Sequence, residues 1–123
     1  MATRSIIAKK KGAGYKAIYC HWDGYPEGVG RTLRRHYKSP AKIDKLLALG
    51  SISVLDKEIG KKQNFDNSVA GWTLAYHRDR GEPWIDTKPN TFKTFTDLMN
   101  YFHQSWCEYM YIYEKGKWKT VSK

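Results

Sequence analysis

The sequence predicts an α+β fold, an antiparallel sheet of about five strands with about three helices packed on one face. Three observations carry this expectation. β-rich runs joined by short glycine turns stand near both ends of the chain, and apolar residues recur at helical spacing between them. Hydrophobic residues are 41% and charged residues 28% of the 123 positions, which suits one ordinary core in a single domain spanning residues 1–123.

Residues 5–9 and 15–22 flank Gly12 and Gly14, so they read as strand, turn, strand. Alternation along the second run puts Tyr15, Ala17, Tyr19 and His21 on one face and Lys16, Ile18, Cys20 and Trp22 on the other. The latter is the expected core face. Pro26 suits a first helical turn, Glu27 complements a helix N-terminus, and Val29, Leu33 and Tyr37 recur every four residues, predicting a short helix. After Ser39 and Pro40, a second amphipathic helix is outlined by Ile43, Leu46, Leu47 and Leu49 and stopped by Gly50.

Residues 56–71 are polar and without period, so a long loop is expected there; 72–77 is strand-like, and 78–90, with Pro83 and Pro89, reads as loop again. Phe95, Leu98, Met99 and Phe102 predict a helix capped by Thr94, with Asp97 three positions on. Residues 108–113 and 118–121 close as a hairpin turned at Lys115 and Gly116.

The charge balance narrows the function. There are 22 Lys and Arg against 12 Asp and Glu, a net charge of +10, and aromatic residues reach 15%. Cations meet phosphates and flat rings stack on bases, the combination that a nucleic-acid or nucleotide binder needs. Residues 1–38 hold nine Lys and Arg against Asp23 and Glu27, so any electrostatic footprint belongs mainly to that third. No signal peptide and no run of roughly 18 to 20 apolar residues is present, so the expected location is cytoplasmic, with no membrane partner. Cys20 and Cys107 are far apart in hydrophobic surroundings and read as buried free thiols. Neither stands in a Cys-x-x-Cys pair and no His has zinc-finger spacing, so neither metal nor cofactor is expected.

The densest stretch is residues 21–33, HWDGYPEGVGRTL, at a strand-to-helix junction. Within it His21, Trp22, Asp23, Gly24, Tyr25, Gly28 and Gly30 form a turn motif: Asp23 and Gly24 reverse the chain, while Gly28 and Gly30 let a backbone or a ligand come close. A helix cap with close helix-on-sheet packing accounts for the same residues, and Asp23 and Glu27 oppose an anion there. Neither a Walker loop nor a dinucleotide fingerprint matches the spacing. His21 and Asp23 are a conceivable pair, but no serine or cysteine has a nucleophile setting, so a protein that is not an enzyme is expected. His36, His77 and His103 read as surface or structural positions.

This motif, followed by a tyrosine and a second helix, resembles small proteins encoded by bacteriophages and prophages. The likeness spans roughly residues 15–55 and rests on Trp22, Asp23, Gly24, Tyr25, Pro26 and Gly30. It carries no assigned activity; it implies a phage product acting in the host cytoplasm by binding or blocking a host component.

Arg31, Arg34, Arg35 and Lys38 stand at i, i+3, i+4 and i+7, one stripe of the first helix, and Lys9, Lys10 and Lys11 lie in the nearby hairpin. Alternation sends Tyr109, Tyr111 and Tyr113 to one sheet face and Met110 and Ile112 to the other; the tyrosine row is a stacking surface if helices cover the second side, and core if they cover the first. The resulting expectation is a non-enzymatic phage-encoded binding protein. It engages nucleic acid, or an acidic host protein that handles nucleic acid, through the basic helix face with help from exposed rings. The alternative is a small-ligand or nucleotide binder at the glycine-rich turn.

Overall fold

The computed structural model describes residues 2–123. The chain runs through β1 (Ser5–Lys11), β2 (Gly14–Cys20), a single π-helical turn (Pro26–Gly30), α1 (Arg31–His36), α2 (Pro40–Leu47), β3 (Ile52–Val54) and β4 (Leu74–Ala75). It continues through α3 (Tyr76–Arg80), α4 (Trp84–Thr87), β5 (Asn90–Phe92), α5 (Phe95–Gln104), β6 (Tyr109–Glu114) and β7 (Lys117–Ser122). The fold is α+β, as the sequence predicts, with a larger sheet of seven strands.

The sheet is mixed rather than antiparallel. Its order is β4-β3-β2-β1-β6-β7, with β5 pairing on β2 beside Tyr15 to Ala17. The β1–β2 and β6–β7 hairpins are antiparallel, but they dock through β1 and β6 in parallel, Ser5 opposite Tyr109 and Lys9 opposite Tyr113. β2 and β3 also run parallel, and α1 and α2 form the long crossover that such a pairing needs.

Helices cover both faces of the sheet, not one. Ile7, Ile18, Cys20, Tyr111 and Tyr113 pack with Val29, Leu33 and Tyr37 and with Ile43, Leu46 and Leu47 of α2. The alternate residues Ile6, Ala8, Tyr15, Ala17, Met110 and Ile112 pack under Leu98 and Phe102 of α5. Both sides of β2 are therefore core, which corrects the one-sided expectation, while Trp22, placed beyond the strand, is exposed.

The capping and turn chemistry matches the sequence. Thr94 accepts a hydrogen bond from the Asp97 amide at 3.0 Å, Ser39 caps α2, and Lys115 and Gly116 take the positive φ values of a tight hairpin turn. The region read as loop over 78–90 instead holds most of α3 and all of α4, and α3 ends on left-handed Gly81. Residues 56–71 do lack regular elements, and one buried acid pins them. Asp79 accepts from Arg78 Nε at 2.9 Å, the Ala75 amide at 2.8 Å and the Gln63 amide at 3.2 Å, while Arg78 also donates to the carbonyls of Ile59 and Thr73. Cys20 and Cys107 are free and buried. Among the described residues, no helix is long and apolar enough to cross a membrane.

Candidate nucleic-acid interface

The turn motif is built to join helix to sheet. Asp23 sits at φ 57°, the amides of Val29 and Gly28 donate to the carbonyls of Asp23 and Tyr25 at 2.8 and 2.9 Å, and the Gly24 amide donates to Thr3 at 2.9 Å. A Cβ on Gly28 would stand 2.3 Å from the Asp23 carbonyl oxygen, and one on Gly30 would stand 2.9 Å from the Tyr111 ring. The glycines thus admit the protein's own backbone and a tyrosine, and the amides that would cradle an anion are spent internally. The Tyr111 hydroxyl completes the joint by donating to the Gly24 carbonyl at 2.6 Å. His21 and Asp23 do not pair with each other: His21 Nδ1 shares a 2.6 Å hydrogen bond with the Tyr19 hydroxyl, and Asp23 accepts from Tyr25.

At the other end of α1, three successive carbonyls leave the helix without intrahelical partners. Each receives a side chain: His36 from Lys42 Nζ at 2.7 Å, Tyr37 from Trp118 Nε1 at 2.9 Å, and Lys38 from the Tyr113 hydroxyl at 3.3 Å. Arg34, Arg35 and His36 occupy the last helical turn, where the negative end of the helix dipole favours cations.

The four predicted stripe residues are all exposed on this helix and its exit. Tyr37 departs from helical geometry, so Lys38 stands outside α1; it borders the same hollow as Arg34 nonetheless, its carbonyl and that of Tyr37 held by Tyr113 and Trp118. Arg34 and Lys38, together with Lys117, border a hollow of about 430 Å³ against Tyr113 and Trp118. Among the described residues, none of Arg31, Arg34, Arg35, Lys38 and Lys117 has a carboxylate at ion-pair distance.

The hairpin lysines are placed differently. Lys9 and Lys11 converge on Asp44 of α2 at 2.8 and 2.9 Å, and Lys10 faces Glu114 at 3.6 Å, so the expected lysine clamp is largely neutralised by its own fold. The two hydrogen bonds hold the Asp44 carboxyl below its ordinary pKa. The tyrosine row is corrected as well. Tyr111 and Tyr113 are buried beneath α1 and Tyr109 packs partly against the same cluster, so they are core and joints rather than a stacking surface. Burial pushes the Tyr111 hydroxyl far above its usual range. Lys117 and Trp118 are additions that the sequence signals only as a basic-aromatic step after the closing turn.

No known protein family, curated protein or solved structure matches the chain. The site's own chemistry therefore has to carry its reading. Three cations border the hollow beside a half-buried indole, with no acid among the lining residues, so its local charge is positive.

Proposed function

We propose that the protein is a non-enzymatic nucleic-acid binder that holds a phosphate backbone on Arg31, Arg34, Arg35, Lys38 and Lys117. The observation that carries this reading is the convergence of Arg34, Lys38 and Lys117, none with a carboxylate at ion-pair distance among the described residues, on the hollow beside Trp118. Arg34 donates to the Pro26 carbonyl at 3.4 Å, but cations with no carboxylate beside them among the described residues keep their charge available to phosphate, and each phosphate neutralised releases counterions. The resemblance of residues 15–55 to phage proteins makes a host macromolecule the expected partner. Charge and the adjoining ring favour nucleic acid over an acidic host protein.

Fluorescence polarisation with labelled single- and double-stranded oligonucleotides, repeated over a salt series, tests this. Arg34→Glu combined with Lys38→Glu removes two phosphate contacts, so the slope of log affinity against log salt falls by about 1.4 on single strands and 1.8 on duplex. Affinity at low salt drops at least about tenfold. Oligonucleotide binding that the double variant leaves untouched overturns the reading. So does a wild-type protein that ignores oligonucleotides yet retains one discrete host protein from nuclease-treated lysate.

A further inference from the structure

The opposite face of the sheet carries a separate opening. A pocket of about 780 Å³ lies between Arg4, Tyr19 of β2, and Tyr101, Gln104 and Trp106 at the end of α5, with Cys107 below. No carboxylate lines it, and Arg4, half-buried, has no acid at ion-pair distance among the described residues. Nearby, burial lowers the pKa of the His21 imidazole and the Arg4 charge lowers it further.

Trp106 is 86% exposed, yet the turn that carries it is fixed. The Ser105 hydroxyl donates to the Phe102 carbonyl at 2.7 Å and receives the Cys107 amide at 3.2 Å; the Glu108 amide donates to the Arg4 carbonyl at 2.9 Å, and Lys123 Nζ donates to the Ser105 carbonyl. An indole held in water by an ordered turn forgoes the stabilisation of burial, and nothing in the packing requires it there. Tyr101 is likewise positioned, its hydroxyl accepting from Asn90 Nδ2 at 3.2 Å and its ring 5.0 Å from Phe92.

We propose that this pocket binds a nucleoside monophosphate unit, its base stacked against Trp106 and Tyr101 and its phosphate paired with Arg4. One cation matches one phosphate, two exposed rings match one base, and the Gln104 carboxamide at the rim offers the paired donor and acceptor that a base edge presents. The unit is either a free nucleotide or the phosphorylated end of a strand. The site shares no residue with the α1 surface and stands independently of it.

Calorimetric titration of the intact protein with the four ribonucleoside monophosphates, and with short oligonucleotides bearing a 5′-phosphate or a 5′-hydroxyl, decides the matter. Wild-type protein binds a mononucleotide or the phosphorylated end, and which of the two it prefers identifies the source. Trp106→Ala, at a position too exposed to matter for folding, weakens binding at least fivefold, the lower bound expected for one lost stack. Arg4→Gln weakens the phosphorylated ligand but leaves the parent nucleoside or 5′-hydroxyl strand unchanged. Circular dichroism confirms that both variants fold, and Arg34→Glu with Lys38→Glu leaves mononucleotide affinity intact. Absence of binding at millimolar ligand, or binding that neither Trp106→Ala nor Arg4→Gln alters, overturns the proposal.

Discussion

The indole nitrogen of Trp118 donates to the carbonyl oxygen of Tyr37 at 2.9 Å, tying β7 to the exit of α1. A ring thus sets where Arg34 and Lys38 stand, although it carries no charge. Trp118→Phe keeps most of the apolar contact and removes the donor. The expected cost is about 1 kcal/mol, read as a lower urea midpoint at constant m-value, accompanied by weaker oligonucleotide binding. Wild-type stability in this variant would show that water serves the Tyr37 carbonyl as well as the indole does.

Gly28 supplies a steric test of the motif. Its backbone needs no left-handed conformation, yet an added methyl would meet the Asp23 carbonyl oxygen at 2.3 Å. Gly28→Ala should therefore destabilise by about 1 to 3 kcal/mol, the usual range for an overpacked site. Thermal unfolding measures it, and a melting temperature equal to wild type would contradict the tight joint.

Asp79 links stability to acidity. Burial raises its carboxyl pKa, but the hydrogen bonds and charge of Arg78 and the amides of Ala75 and Gln63 outweigh that and hold it below the ordinary 3.8. A depressed folded pKa gives stability that is complete above pH 3.8 and is lost as pH falls through the folded value. Asp79→Asn leaves Arg78 without its counter-charge and should cost about 3 kcal/mol at neutral pH. Denaturation at a series of pH values should show the gap between the two proteins closing in acid. A constant gap would exclude Asp79 as the source of that acid dependence.

The thiols should be inert. Burial pushes Cys20 up to about 12 and raises Cys107 as well, so thiolate is scarce at both. Iodoacetamide at neutral pH is expected to modify neither until denaturant is added, as followed by intact mass. Rapid labelling of native protein would mean that one of these sites opens.

Local chemistry was legible in the sequence wherever a few neighbouring residues decide the outcome. Thr94 before Asp97 caps α5, Ser39 before Pro40 starts α2, and Lys115–Gly116 turns the last hairpin. The distant pairings were not legible, because nothing near Ser5 marks Tyr109 as its parallel neighbour. One local signal does bear on the burial of β6. Residues 109–113 form an unbroken apolar run, which marks a strand buried on both faces rather than one with a spare aromatic side. In the candidate interface, the cations of α1 could be named from spacing, whereas Lys117 and Trp118 arrive from another strand. The neutralisation of Lys9 and Lys11 by Asp44 depends on α2 docking over β1, a contact no local pattern encodes.

The parallel seam between β1 and β6 has a kinetic corollary. Each hairpin closes locally, but β1 gains its second neighbour only when residues near 109 arrive, so the rate-limiting search joins opposite reaches of the chain. During synthesis α1, α2 and α5 emerge before β6, but the β1 edge of the ribbon stays open until β6 leaves the ribosome. Nascent chains stalled before β6 should thus be the aggregation-prone and protease-sensitive form, and the last hairpin acts as the latch that ends this vulnerability.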